Sequence, residues 1–93
     1  MMEGLSETSR PAIGHGFRLQ WESVQDAHVL LYPEGMVKLN PSAAAILTRC
    51  DGVRMVADII SDLERTYAAE GLGEDVLAFV RLALERNWLE LRE

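Results

Sequence analysis

Residues 29–52 read VLLYPEGMVKLNPSAAAILTRCDG, and this stretch decides the fold. The run Ala27–Tyr32 is almost continuously apolar, which predicts a buried strand. Pro33-Glu34-Gly35 favours a tight turn, because proline fixes φ at the first central position and glycine accepts positive φ. Met36–Leu39 then predicts a short strand that returns antiparallel to the first.

The same stretch continues into a helix with a recognisable start. Asn40 offers a side-chain oxygen to the first free amides, and Pro41 occupies the first helical position, where its missing N–H costs nothing. We expect this helix to carry Cys50 and to end at Gly52.

Four more segments, on either side of this stretch, have clear periodicity. Residues 17–22 alternate apolar and polar side chains, which indicates a strand with one solvated face. Residues 55–67 and 74–87 predict a second and a third helix. Residues 88–91 alternate and indicate a short extended piece. The predicted fold class is α+β, a three-stranded antiparallel sheet followed by three helices.

The first part of the chain has no such pattern. Residues 1–16 are rich in Gly, Ser and Pro, and we interpret them as a flexible N-terminal tail. Residues 17–93 then form a single domain, whose core is modest because so short a chain buries only about 60–65% of its unfolded surface.

Composition excludes several classes of function. The net charge is −6, with nine scattered Lys and Arg residues, which argues against nucleic acid and against anionic membranes. No apolar run is long enough for a membrane span, and the N-terminus does not resemble a signal peptide, so we expect a cytoplasmic protein. Cys50 is the single cysteine, so no internal disulfide can form, and we interpret it as a small buried thiol.

The third helix carries more apolar surface than a helix on a small sheet needs. One stripe holds Leu77, Val80, Leu84 and Trp88, and the adjacent stripe holds Val76, Phe79, Leu82 and Ala83. Either both stripes belong to the core, or one of them lines an exposed groove, as large apolar patches on small proteins often do.

The predicted strand Met36–Leu39, the last of the three in the sheet, leads to the same two alternatives. No later segment obviously supplies a strand to cover its outer edge, and an open edge is a template for another chain. Its shortness and Lys38 would protect such an edge from aggregation, whereas a docking peptide would use it by strand addition. In the second case, proline at Val37 is expected to block the pairing.

Several short strings along residues 17–91 together resemble the PqqD family of pyrroloquinoline quinone (PQQ) biosynthesis. The most specific are Leu31–Gly35, Leu39-Asn40 and Cys50–Gly52, with weaker matches at Ile59-Ile60 and Asn87–Leu89. One departure is Met55, where a Ser or Thr helix cap is expected.

The resemblance implies a winged helix-turn-helix-like peptide-recognition domain. Such a domain would bind the precursor peptide PqqA by strand addition and present it to the radical SAM enzyme PqqE, which cross-links a Glu to a Tyr in that peptide. Carried onto this chain, the peptide-binding residues would be Met36, Val37, Lys38, Leu39, Val76, Phe79, Val80 and Ala83.

We expect no catalytic residue, no metal site and no cofactor. His15, His28 and Cys50 are not at chelating spacing, and no nucleophile has a recognisable base beside it. Two other classes stay open. One is a winged-helix DNA-binding domain, which would need a basic face on the third helix. The other is a structural dimerisation module, in which edge and stripe meet their copies across a two-fold axis.

Overall fold

The computed structural model describes residues 4–92, and it has an α+β architecture. The strands are β1 (Arg10–Ile13), β2 (Arg18–Glu22), β3 (Ala27–Tyr32), β4 (Gly35–Lys38) and β5 (Leu89–Arg92); the helices are α1 (Pro41–Leu47), α2 (Val56–Thr66) and α3 (Gly73–Glu85). The predicted fold class, a three-stranded antiparallel sheet with three helices, is confirmed. The ends of the predicted tail and domain, residues 1–3 and 93, lie outside the described residues.

The three-stranded sheet has the order β2-β3-β4, with β3 at its centre. Val29 and Leu30 are neighbours on β3, so their side chains point to opposite faces, yet both are fully buried. Both faces of the sheet are therefore covered at this point. The turn at Pro33-Glu34 joins β3 to β4, with Tyr32 opposite Gly35.

Helix α1 begins as the sequence predicts. The Ala43 amide donates to the Asn40 side-chain oxygen at 2.8 Å, and Pro41 is in the first turn. Its predicted end is wrong, because the helix stops at Leu47, and Gly52 lies five residues beyond. Gly52 has φ +81° and its amide donates to the Pro11 carbonyl at 2.9 Å, so this glycine turns the chain against β1.

Cys50 lies just after α1 rather than on it, and its thiol is buried. Its Sγ donates to the Ile46 carbonyl at 3.3 Å. Burial, with a smaller effect of the neighbouring Asp51 charge, raises the pKa of the Cys50 thiol to about 12. The thiol is therefore protonated at neutral pH and unsuited to nucleophilic attack.

Residues 10–13, which lie in the predicted tail, form the strand β1. This strand pairs antiparallel with β5 in a separate two-stranded sheet, and Pro11 and Ala12 are buried there. The four residues carry no alternating pattern, and their partner lies almost eighty positions away. Nothing local in the sequence marks such a pairing.

The N-terminal segment also completes the start of α2. The Val56 amide donates to the Ser9 carbonyl and the Ala57 amide to the Glu7 carbonyl, each at 2.8 Å. The Asp58 carboxylate accepts from the Met55 amide at 2.9 Å. These bonds satisfy amides that a Ser or Thr cap would otherwise serve, which explains why Met55 is tolerated there.

The three helices enclose one apolar core together with Leu89 of β5. Leu47 of α1, Ile59 of α2 and Val80 of α3 are almost completely buried within it. An ion pair between Arg49 and Asp62 joins the segment after α1 to α2. Within residues 4–92, no helix has both the length and the apolar character that crossing a membrane requires.

Candidate functional site

A groove of about 480 Å³ lies between β4 and α3; we call it the β4–α3 groove. Its lining comes from three elements and the turn after the last of them: Val37, Lys38, Leu39 and Asn40 at β4 and its end, Ser42, Ala43 and Ile46 on α1, Asp75, Phe79 and Leu82 on α3, and Trp88 after α3. A groove of this size is within the range of ligand sites in proteins.

One wall of the groove is the open edge of the sheet. Within the described residues, β4 pairs with β3 on one side and with no strand on the other. The Leu39 amide donates to the His28 carbonyl at 3.0 Å, so these two opposite residues form a hydrogen-bonded pair between β3 and β4. Bonded and non-bonded pairs alternate in an antiparallel sheet, so Val37 bonds to Leu30.

By the same alternation, the backbone N–H and C=O groups of Met36 and Lys38 point to the open edge. The expectation that proline at Val37 would block this edge is therefore wrong, because the Val37 amide faces β3. The two outward residues offer two donors and two acceptors to an added strand.

The other wall is α3, whose two apolar stripes are divided differently from the prediction. Val76, Val80 and Ala83 lie on the side of the helix that packs into the core, with 2%, 0% and 0% of their surface exposed. Phe79 and Leu82 lie about 60° and 120° round from Val76 at roughly 100° per residue, and they face the groove.

Val76, Val80 and Ala83 are not among the residues that line the β4–α3 groove, and their contact with a peptide stays a prediction. The physical reason for their absence from the lining is that a three-residue core stripe at i, i+4 and i+7 consumes the centre of the apolar arc. Only one flank of the arc remains for the groove.

Four of the other predicted site residues, Val37, Lys38, Leu39 and Phe79, line the groove. Met36 on β4 is 45% exposed and is not among the lining residues. Leu39 contributes from a buried position. Contact of these residues with a peptide stays a prediction.

Sequence reasoning did not place Asp75, Leu82 and Trp88 in the site. Leu82 is 38% exposed although it is a large apolar residue on a helix. The one feature of the sequence that pointed to it is its position at the edge of the wide apolar arc of the third helix. Asp75 is an acid in the first turn of α3, where the helix dipole alone is enough to favour a negative charge. Trp88 lies beyond α3, and only the fold brings it to the groove.

Trp88 is held in place by the N-terminal part of the chain. Its carbonyl accepts from the Gly14 amide at 2.7 Å, directly after β1. Its ring centroid lies 6.4 Å from that of Phe79, and the Arg86 guanidinium lies 5.5 Å from it. The β1–β5 pairing thus fixes one end of the groove.

The side chains on the groove-facing side of α3 are apolar or acidic. Asp75, Phe79 and Leu82 form this side, with no Lys or Arg among the α3 residues that line the groove. A major-groove recognition helix presents basic and amide side chains, so this face does not favour DNA. It favours apolar side chains, with Lys38 and Asp75 as the charges at the margins.

Comparison with known proteins agrees with the resemblance noted in the sequence. The family model for "Coenzyme PQQ synthesis protein D (PqqD)" matches residues 27–89. The PqqA binding protein of Stutzerimonas stutzeri is 54% identical over 92 residues, covering 98% of this chain and 100% of the relative. That of Azotobacter vinelandii is 55% identical over 91 residues, covering 94% and 99%.

A solved structure is similar over nearly the whole fold. It is the solution NMR structure of the PqqD truncation of Methylobacterium extorquens PqqCD, described as a functional, stand-alone recognition element for ribosomally synthesized and post-translationally modified peptides. It is 34% identical, with a TM-score of 0.73, and the match covers 94% of this chain and 95% of that one. The chain therefore belongs to the PqqD family.

Proposed function

We propose that this chain binds the precursor peptide PqqA by adding it as a strand to β4, and that it presents the bound peptide to the radical SAM enzyme PqqE. The names of the relatives support the choice of peptide. The observation that carries the mode of binding is that an open strand edge and an apolar helix face border the same groove. A peptide strand would pair with one wall and pack side chains on the other.

Stable binding of a peptide needs contacts with both walls of the groove, the edge of β4 and the face of α3. Met36 and Lys38 offer four backbone groups, which contribute about 0.5–1.5 kcal/mol each when paired. Ordering the peptide backbone costs about 1–2 kcal/mol per residue, so the hydrogen bonds alone do not hold a strand of four or five residues. Side-chain burial against Phe79 and Leu82 supplies the rest, at about 25 cal/mol per Å².

The proposed role is binding without a reaction of the chain's own. Around the groove, Asp75 and Lys38 are the charged lining side chains, and no nucleophile with an oriented base lies beside them in residues 4–92. The relative from M. extorquens is a PqqD truncation of PqqCD that is described as functional and stand-alone. Delivery of a bound peptide to a separate enzyme is consistent with such a unit.

The test of peptide binding is isothermal titration of the full chain with synthetic PqqA. We expect Phe79→Ala and Leu82→Glu to weaken binding at least tenfold, about 1.4 kcal/mol, because each removes apolar surface from the α3 wall. The matched control is Arg81→Ala, which makes the same change in net charge at an exposed position of α3 that lies about 100° or more round the helix from each groove-lining residue of that helix. Unchanged affinity in folded Phe79→Ala and Leu82→Glu variants would contradict the groove.

The test of presentation uses the enzyme. Cross-linking of PqqA by PqqE should be faster with the wild-type chain than without it, and Leu82→Glu should lose that gain while Arg81→Ala keeps it. An equal rate with and without the chain would refute presentation and leave peptide binding intact.

The same open edge also suits a second copy of the chain, as a dimerisation module would use it. Sedimentation of the wild type and of Leu82→Glu separates the two functions. A dimer that dissociates on this substitution, in a protein with no affinity for PqqA, would favour dimerisation over peptide binding.

A further inference from the structure

A second, smaller cleft lies beside the β4–α3 groove, between α1, the end of α2 and the segment that leads to α3. We call it the α1–α2 cleft, and its volume is about 310 Å³. Buried Leu63 and Val76 form its base, and Ala45, Ala69 and Leu72 form its sides. Within the described residues, no side chain of the chain fills this apolar space.

The rim of the cleft carries an aromatic residue that the fold leaves exposed. Tyr67 caps α2 and has 58% of its surface exposed. Its ring borders the cleft. An amphipathic ring at a cleft mouth is suited to cover an apolar group while its hydroxyl stays in water.

The α1–α2 cleft is continuous with the β4–α3 groove. Ser42, Ile46 and Asp75 line both of them, so the two are separated only by a shared rim. Strand β4 ends at Lys38 and α1 begins at Pro41, three residues later. An extended chain covers three residues in about 10 Å, so a strand paired with β4 that continues past Lys38 reaches the cleft within a few residues.

The charge of the mouth adds a second requirement. Asp75 is the one charged side chain that lines the cleft. It is exposed, and it is in no ion pair with another residue of the described part of the chain. A cation placed beside the cleft would therefore gain an unshared carboxylate partner.

We infer that the α1–α2 cleft takes one large apolar side chain from the flank of the bound peptide, with a Lys or Arg next to it in the peptide paired to Asp75. This inference rests on the proposed function, and it names a feature of the peptide that the groove recognises. The open edge has only two outward residues, so a peptide held there needs an anchor beyond the strand.

A flanking segment of the peptide suits the cleft better than a second copy of this chain. The chain carries a net charge of −6, so the surface of another copy would oppose Asp75 on average. A segment continuous with the strand on β4 also reaches the cleft at a high effective concentration, because it is already bound next to it.

The first test is methyl NMR on the full chain titrated with synthetic PqqA. The methyl groups of Ala45, Ala69 and Leu72 should shift with the same midpoint as the amides of Met36 and Lys38, and they should show NOEs to an apolar peptide side chain. Shifts of the two amides with unmoved cleft methyls would overturn the cleft and leave strand addition standing. If neither set moved, both proposals would fall.

The second test fills the cleft. Ala69→Phe should lower the affinity for PqqA at least tenfold while the Lys38 amide still shifts on binding, and Arg81→Phe, at an exposed position of α3 away from the groove, is the control. Asp75→Asn should reduce the dependence of the affinity on salt. Wild-type affinity in a folded Ala69→Phe variant would overturn the inference, whatever Asp75→Asn does.

Discussion

Proline placed at successive positions of β4 distinguishes its inner from its outer edge. Lys38→Pro removes an N–H group that points to the open edge, and proline is tolerated where a strand's amide faces solvent. Val37→Pro removes an N–H group that bonds to Leu30 inside the sheet. The two neighbouring substitutions are therefore expected to damage different properties of the protein.

The expected magnitudes follow from one hydrogen bond. In the complex, Lys38→Pro loses about 1 kcal/mol of pairing and leaves a peptide carbonyl without its donor, which costs about 1–3 kcal/mol more. The sum of about 2–4 kcal/mol is a loss of affinity of roughly 30-fold or greater. Val37→Pro pays a similar cost in the free protein and appears as a lower free energy of unfolding.

The assays are calorimetric titration with PqqA and urea denaturation of each variant. Lys38→Ala is the matched control, since it removes the same side chain and keeps the amide, and it should stay within a few-fold of wild-type affinity. Folded Lys38→Pro with wild-type affinity would show that the peptide does not pair with this edge. Loss of binding in Val37→Pro with unchanged stability would show that the Val37 amide, and not the Lys38 amide, points to the open edge.

Three further predictions concern the frame that holds the groove. Gly14→Ala should destabilise the fold by about 1–3 kcal/mol in urea denaturation, because an added Cβ would collide with the Asn87 carbonyl oxygen. Gly73→Ala, where the Cβ meets only an ordinary contact at 3.7 Å, is its control, and equal midpoints for the two would contradict the collision. Asn40→Ala should cost about 1 kcal/mol by thermal denaturation through loss of the α1 cap, and an unchanged melting temperature would count against that cap. The side-chain hydrogen bond from Arg49 holds the pKa of the Asp62 carboxyl below its usual 3.8, so this carboxylate stabilises the fold above about pH 4 and loses that effect as the pH falls through its lowered value. Urea midpoints measured from pH 7 to pH 2 should fall less steeply at the acid end for Asp62→Asn than for the wild type, and parallel curves would refute the pair's role.

Local signals predicted the parts of the fold whose partners are close in sequence. The turn at Pro33–Gly35 brings β4 onto β3, and the Asn40 side chain caps a helix that starts at the next residue. Each depends on groups within a few positions, so residue type and spacing suffice to predict it. The fold class and the open edge of β4 followed from these elements alone.

The groove itself was predicted only in part. Val37, Lys38, Leu39 and Phe79 line it, as the sequence indicated. The division of the α3 arc was not predictable from the wheel, because every apolar position on a helix looks alike until a neighbour packs against some of them. The side on which α2 and α1 pack decided that Leu82 stays open.

What the sequence determined by itself is therefore the set of elements: three paired strands, three helices and a helix with apolar surface to spare. The tertiary structure decided that β1 pairs with β5, that the Ser9 carbonyl caps α2, and that Gly14 holds Trp88 beside the groove. The physical reason is how far apart along the chain the contacting groups lie. A turn or a cap is stabilised by groups a few residues apart, whereas these contacts join segments some 45 to 80 residues apart, and they form only once the core has brought those segments together.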